Sequence, residues 1–565
     1  MGRISEWWLE RVRGWLRGTA DQFLTETVHF KEHSQATLEG ILQLNGETEW
    51  GRAHGLNGPQ ALDTFQALAP NQYEDYAPYI ERMAAGEKNL LTKQPVEYFA
   101  ESSGTTGPQK LIPITRQQIT LALSNSMSIP FGMAVRAGIL GPICGPVLMT
   151  MTEMLRGQTP GGIAKGAATT SGIRRMGRVS DWLFTSPREV VKIQPQTTAR
   201  YLHLLFALRA SDIWMISSFF PLTLMYIFRD LEEKAPALLR DLADGTLSPE
   251  LELSAAERKD LLARWKPQPE RARFLEQKFK QPSWTVRDFW PGVGCVITVS
   301  TGSFRFYADQ IRRYLGPVPI FSPIYAASEA SGIGFALEPD QPGYVFSSRS
   351  AYLELLPVDS LGEASGFPIP AWKAEPGQSY EVVITTWGGL VRYRLGDVVK
   401  AVGFHNEAPV VEFVERRGRG LNLAGEKMPE HYLQEAWAAA RQEVHFPLVD
   451  YFVTIDLSTT PSRYLVVLES AVKWQPEMEF SLKKLLERFD VYLIKAAPRY
   501  QYHRQYGNIA PLGGIVLRSG AFERYRDFRM SQGVSASQFK MLHVIPDPGF
   551  VTQYFGEEIV GRFLS

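Results

Sequence analysis

Only two cysteines, Cys144 and Cys295, occur in 565 residues. That is too few for a disulfide framework, and both stand in apolar or glycine-flanked stretches, so a reducing compartment and two inert thiols are expected. An excess of either charge is lacking as well, because Lys plus Arg and Asp plus Glu each total 60. No overall field favours nucleic acid, anionic lipid or an acidic partner, and a site for a charged ligand has to be built locally. Long apolar runs are also missing. The longest tract, IWMISSFFPLTLMYIF from Ile213, is interrupted by Ser217, Ser218, Pro221 and Thr223 and ends at Arg229. It is too short for a membrane span and reads as a buried strand running into a buried helix, with no stable membrane insertion expected. The nine histidines show no metal-ligand spacing with cysteine, and no G-x-S-x-G elbow occurs. A zinc enzyme or a hydrolase is therefore disfavoured, and His405 and His431 are read as structural or solvated.

The composition is 44% hydrophobic and 12% aromatic, ample for a large core and more than one domain. The opening stretch MGRISEWWLERVRGWLRG sets Trp7, Trp8, Leu9, Val12, Trp15 and Leu16 around one helical face. It lacks a signal peptide's apolar run and cleavage site, and it reads as an amphipathic helix docked on its own domain rather than on a membrane surface. Helical and strand-like patterns then alternate, which predicts an α/β architecture with sheets covered by helices. Helices are expected over residues 21–42 and 196–208 and within 471–489, and strands at 294–299, 351–356, 380–385, 410–414 and 464–468. Between Arg416 and Pro429, RRGRGLNLAGEKMP interrupts the pattern before Pro429 opens the helical EHYLQEAWAAARQE. A hinge there divides the chain into a large domain, residues 1–420, and a small α/β domain, residues 421–565, with a shared ligand in the cleft between them.

Three motifs carry chemistry. SSGTTGPQK, Ser102 to Lys110, follows a strand end, and its glycines and hydroxyls would let N–H and O–H groups approach phosphate oxygens while a lysine adds charge. It is not a Walker loop, since Leu111 follows Lys110, and a surface turn would suit the same residues. IYAASEASGIG holds Tyr325, Ser328 and Glu329: a ring for a nucleobase, a hydroxyl for a phosphate and a carboxylate for Mg²⁺. A helix capped by Ser328 is the alternative. GLVRYRLGDVV places Asp397 after a glycine, suited to accept from both ribose hydroxyls or, equally, to cap a local turn.

The order and spacing of these motifs, with STGSF at Ser300 between them, resemble the adenylate-forming superfamily of acyl-CoA synthetases, luciferases and peptide-synthetase adenylation domains. More narrowly, KLIP, VRYRLGDVV followed by GFHN, LNLAGEKMPE, RSGAFERYRD and GVSASQFK resemble the auxin-responsive Gretchen Hagen family of acyl acid amido synthetases, over essentially the whole chain. The resemblance implies a large domain with β-sheets and a β-barrel-like part covered by helices, and a small mobile α/β domain that closes over the site. It implies ATP, Mg²⁺, an acyl-adenylate intermediate and conjugation of a small carboxylic acid to an amino acid. Position by position, Ser102, Ser103, Gly104, Thr105, Thr106 and Lys110 would face phosphates, Tyr325 and Ser328 the nucleotide, Glu329 the metal and Asp397 the ribose. Lys427 and Lys540 match lysines expected near the nucleotide. One residue fewer in the cradle, and Val391 where plant members usually carry Tyr, depart from the plant pattern and bear on loop contacts and acyl fit; a bacterial-type member is expected. A cytoplasmic monomer is expected. Two readings compete with amide formation: a ligase that passes its acyl group to a thiol such as coenzyme A, and a catalytically dead scaffold. The stretch Gln117 to Arg136, with Met127, Ile129, Phe131 and Met133, and the loop from Thr159 are candidate walls for the acyl pocket, though each residue would serve equally as core.

Overall fold

A computed structural model of the chain describes residues 6–563 except 102–109, 142, 144, 152, 154, 167–178, 194–195, 302–303, 340–342, 359–363, 365, 418–419, 425, 427 and 533–538. The apolar tract from Ile213 forms the buried strand Met215–Ser217, and Pro221 then opens the buried helix Pro221–Glu233. That strand lies inside a four-stranded parallel sheet in the order Val147–Met149, Met215–Ser217, Cys295–Ile297, Ile320–Phe321. Strands so short and so apolar suit a sheet covered on both faces, and helices Gln196–Arg209, Pro221–Glu233 and Arg305–Leu315 run between them. Cys295 is fully enclosed and its thiol is pushed up to about 12 by burial, inert as read; Cys144 lies outside the described residues.

The barrel-like part is an eight-stranded antiparallel sheet in the order Ile369–Pro370, Ala351–Pro357, Ser379–Thr386, Tyr393–His405, Ala408–Arg416, Tyr344–Phe346, Gly334–Phe335, Ile324–Tyr325. Register shifts between Glu381 and Val383, between Val398 and Val399, and between Ala401 and Gly403 coil it. A smaller sheet pairs Val96–Glu101 with Leu111–Thr115 and Ala164–Gly166, so Glu101 and Leu111, on either side of residues 102–109, lie on paired strands.

The helix expected over residues 21–42 is two helices, Glu6–Val28 and Phe30–Asn45. A hairpin turn inserts at the break: the Glu407 N–H donates to the Thr27 carbonyl at 3.0 Å, and the Lys31 N–H donates to the Glu407 carboxylate at 3.2 Å. Leu16 is buried and Val12 packs on the core, but Trp15 is 59% exposed, so it does not share their face. The helix docks on Ile129–Arg136, where the Thr19 hydroxyl donates to the Ser128 carbonyl at 3.0 Å. Among the described residues no helix is long and apolar enough to cross a membrane.

The expected boundary at 420/421 falls within a short hairpin, Gly420–Leu421 against Met428–Pro429, after which Glu430–Glu443 is the predicted helix. Beyond it, a sheet in the order Leu448–Asp456, Arg463–Ser470, Ala510–Leu517, Ile559–Phe563 alternates its side chains between two cores. Tyr451, Val453, Tyr464, Val466 and Val516 join the helices Glu430–Glu443 and Met478–Ala496. Phe452, Leu465, Val467, Ile515 and Leu517 join a cluster made mostly of large-domain residues such as Leu224, Phe228 and Ile311. The domain expected to be mobile is therefore seated here: one sheet face is covered by its own helices Glu430–Glu443 and Met478–Ala496, and on the other Phe452 packs against Phe522, Phe550 and Phe555 of the same domain within a cluster shared with large-domain residues.

Candidate functional site

In open α/β sheets ligands gather at the carboxyl ends of parallel strands. Three such ends meet here: Phe220 follows Met215–Ser217, Phe304 follows Cys295–Ile297, and Tyr325 follows Ile320–Phe321. Tyr344 ties the last two together, its hydroxyl 2.9 Å from Ser322 Oγ and 3.4 Å from Thr301 Oγ1.

Tyr325 donates its hydroxyl to Asp397 Oδ2 at 2.9 Å, which joins two of the motifs directly. Both residues are buried, and burial followed by the charge of Asp397 holds the Tyr325 phenol well above its ordinary value, so it stays a donor. Asp397 sits within the strand Tyr393–His405 and not in a self-capped turn. Residues 326–332 make no helix; the Ala327 N–H donates to the Ala330 carbonyl at 3.0 Å, so Ser328 stands in a turn rather than at a helix cap. That turn delivers Glu329, 4% exposed, to the same place. Its carboxyl is raised above the usual carboxylate range by burial, with Asp397 adding to the rise and Arg416 opposing it, and the Tyr393 hydroxyl reaches Oε1 at 3.4 Å. Arg416 Nη1 lies 3.7 Å from Asp397 Oδ1; burial works against its charge, but Asp397 and Glu329 keep it on. The site is thus two carboxylates, two phenols and one guanidinium.

Lys110 closes the cradle next to Tyr73 and Glu74: Nζ is 4.8 Å from the Tyr73 ring centroid and 3.8 Å from Glu74 Oε1. The Leu111 N–H donates to the Tyr73 hydroxyl at 2.9 Å, fixing that end of the loop. The Tyr73 phenol is raised by burial first and then by Glu81, Glu74 and Glu329. Ser102, Ser103, Gly104, Thr105 and Thr106 lie outside the described residues, as does Lys427. Beside Lys427 in sequence, buried Glu426 accepts the N–H groups of Leu423 and Ala424, each at 2.7 Å, and the Tyr464 hydroxyl, so one carboxylate ties these residues together. Lys540, from the small domain, holds its ammonium 4.8 Å from the Phe220 ring centroid and 5.2 Å from that of Phe304, a cation–π seat on the carboxyl edge of the parallel sheet.

Tyr393, Arg416, Glu426 and the Phe220–Phe304 pair escaped the sequence reading. Tyr393 and Arg416 stand in or beside quoted motifs, but nothing in their spacing distinguishes them from ordinary strand residues. Val391 is buried, and its N–H and carbonyl are both taken by the Tyr76 hydroxyl. Of the candidate acyl walls, Ile129, Phe131 and Met133 pack the core, and a π-turn, Ser124–Ser128, interrupts the helix; residues 167–178 of the loop from Thr159 are outside the described part.

The fold is that of the acyl acid amido synthetases. The solved structure of the GH3.15 acyl acid amido synthetase superposes with a TM-score of 0.84 at 27% identity, covering 95% of this chain and 96% of that one. A second structure, AtGH3.15 in complex with 2,4-DB, gives 0.85 at 25% identity over 100% and 99%. The chain belongs to the GH3 family: residues 19–320 match its N-terminal domain, 344–416 its central domain and 431–549 its C-terminal domain. Relatives include the jasmonoyl–L-amino acid synthetase JAR6 of Nicotiana attenuata, 30% identical over 94% of both chains. Another is the indole-3-acetic acid-amido synthetase GH3.4 of Arabidopsis thaliana, 29% identical over 92% of this chain and 90% of that one.

Proposed function

We propose that the chain is an ATP-dependent, AMP-forming acyl acid amido synthetase that joins a small carboxylic acid to the amine of an amino acid. The observation that carries the reading is the meeting of Tyr325, Glu329 and Asp397 with Arg416 at the carboxyl edge of the parallel sheet, where Lys540 also arrives. In the first half-reaction a carboxylate oxygen of the acid bonds to the α-phosphorus and pyrophosphate leaves. In the second the amine nitrogen bonds to the acyl carbon, the bond to AMP breaks, and the amine gives up a proton. Asp397 would accept the ribose hydroxyls with its carboxylate oriented by Tyr325. Ser102, Ser103, Gly104, Thr105, Thr106 and Lys110 would embrace the phosphates, and Ser328, Lys427 and Lys540 would complete the nucleotide site.

Mg²⁺ fits this donor set. Glu329 is a buried carboxylate met by its own N–H and by one long contact from Tyr393, with Asp397 close by, so a cation would relieve it. Among the described residues no group of three His, Cys, Asp or Glu could hold a metal, which suits an ion that takes one carboxylate from the protein and the rest of its oxygens from phosphates and water. Bound there, it would supply positive charge to the phosphate oxygens. The chain would act as a cytoplasmic monomer, without nucleic acid or membrane insertion.

The deciding experiment incubates the protein with ATP, Mg²⁺ and a panel of acids, follows pyrophosphate, and then offers each amino acid or coenzyme A with mass analysis of the products. Amide with AMP and pyrophosphate is expected. ADP and phosphate would reject the adenylate, acyl-CoA without amide would make the chain a thioester-forming ligase, and silence in every arm would leave a binding scaffold.

A further inference from the structure

The start of the helix Arg305–Leu315 meets the small domain at intervals of three residues, one face of a helical turn. Phe304 lies under the Lys540 ammonium. The Tyr307 hydroxyl donates to Asp450 Oδ2 at 2.7 Å, and Gln310 Nε2 donates to the Val449 carbonyl at 3.4 Å. The facing segment repeats the interval. His543 Nε2, three residues after Lys540, lies 3.1 Å from the Tyr307 hydroxyl and 3.2 Å from Asp450 Oδ1, with its ring stacked on Tyr451 at 4.5 Å. The backbone is tied down at the same point: the Val453 N–H donates to the His543 carbonyl at 2.8 Å, and the Ile545 N–H donates to the Val453 carbonyl at 2.9 Å.

Tyr307, Asp450 and His543 are each 1% exposed. Apolar side chains would fill such an interface at lower desolvation cost; what a buried polar cluster adds is one required geometry. Phe304 with Lys540, and Tyr307 with His543, are two matched contacts between one helix and one segment, so fixing the second sets the reach of the first.

We propose that Tyr307, Asp450 and His543 are positioning residues that hold the Lys540 segment in register with the helix Arg305–Leu315, and so place the Lys540 ammonium for adenylation. This rests on the role of Lys540 proposed above. The three residues touch no substrate; they act through Lys540.

The test is a double-mutant cycle on the full chain with Tyr307→Phe, which keeps the ring, and Lys540→Ala. Each variant is assayed for acid-dependent ATP–pyrophosphate exchange and for amide formation from supplied acyl-adenylate. Tyr307→Phe should slow exchange about tenfold, the size of one hydrogen bond to a buried carboxylate, and leave amide formation within about twofold. In the Lys540→Ala background it should cost nothing further, because the residue it positions is gone. Asp450→Asn should repeat the pattern. Equal losses in both half-reactions, additivity with Lys540→Ala, or unchanged exchange in Tyr307→Phe would each overturn the positioning role while the role of Lys540 stands. Normal exchange in Lys540→Ala itself would remove the role of Lys540, and the positioning role with it.

Discussion

Replacing Glu329 with Gln should move activity and stability in opposite directions. The carboxylate is 4% exposed, and its partners are its own N–H and a 3.4 Å contact from Tyr393, which the amide oxygen of Gln can still accept. Little hydrogen bonding is lost, on the order of 1 kcal/mol at most. What disappears is a buried charge. Because the folded carboxyl is raised, the native state holds its proton more tightly than the unfolded chain, so the parent loses stability as pH rises from the unfolded value toward the folded one. The penalty is absent in acid and present at neutral pH. Glu329→Gln should therefore match the parent in urea unfolding at pH 4 and equal or exceed it at pH 7.5, with tryptophan fluorescence as the probe. Adenylation should fall about 10²–10³-fold, the usual loss when a charge aimed at a transferring group is removed. A variant less stable than the parent at neutral pH, or one with near-normal exchange and unchanged Mg²⁺ dependence, would refute the reasoning.

Tyr325→Phe removes the 2.9 Å donor to buried Asp397 and should raise the KM for ATP about tenfold with a smaller effect on kcat, read from initial rates. Gly132→Ala would set its Cβ 2.1 Å from the Leu16 carbonyl oxygen, so the first helix must shift; a loss of about 1–3 kcal/mol in urea unfolding is expected. Buried His203 is held neutral, its pKa lowered to about 4 by burial, with Ser186 Oγ 2.7 Å from Nδ1 and the Met151 carbonyl 3.1 Å from Nε2. The unfolded chain takes up that proton first, so stability is full above pH 6.5 and falls by about 3 kcal/mol toward pH 4, and His203→Gln should flatten this part of the urea-midpoint profile.

What could be read from the sequence was what depends on local pattern. Short runs rich in β-branched and aromatic residues placed the strands at 351–357, 379–386 and 463–470 to within a residue or two, and Pro429 marked the start of the helix Glu430–Glu443. The order of the three motifs drew attention to Tyr325 and Asp397, which the fold brings into contact across 72 positions. What could not be read depends on distant partners. The helix break at His29 follows from the turn at Asn406 and Glu407, more than 370 residues away, whose groups take over the Thr27 carbonyl and the Lys31 N–H. Trp15 looked like a core residue because helical spacing groups it near Val12 and Leu16 but does not tell where the buried face ends. Arg416 matters only because a strand pairing lays it against Asp397. The seat of Lys540 needs two rings that sequence separates by 84 positions, Phe220 and Phe304.

The two-sided sheet of the small domain bears on how the chain is made. Its strands Leu448–Asp456, Arg463–Ser470 and Ala510–Leu517 are made late, yet their apolar residues share a cluster with residues of helices completed more than a hundred residues earlier. At roughly 5–20 residues per second, those helices wait on the order of 10 s with that surface bare. During that interval the nascent chain offers a natural target for a chaperone, until the sheet of the small domain is seated. Truncation near residue 420 would make the interval permanent, so the large domain alone should aggregate even though its own parallel sheet is complete.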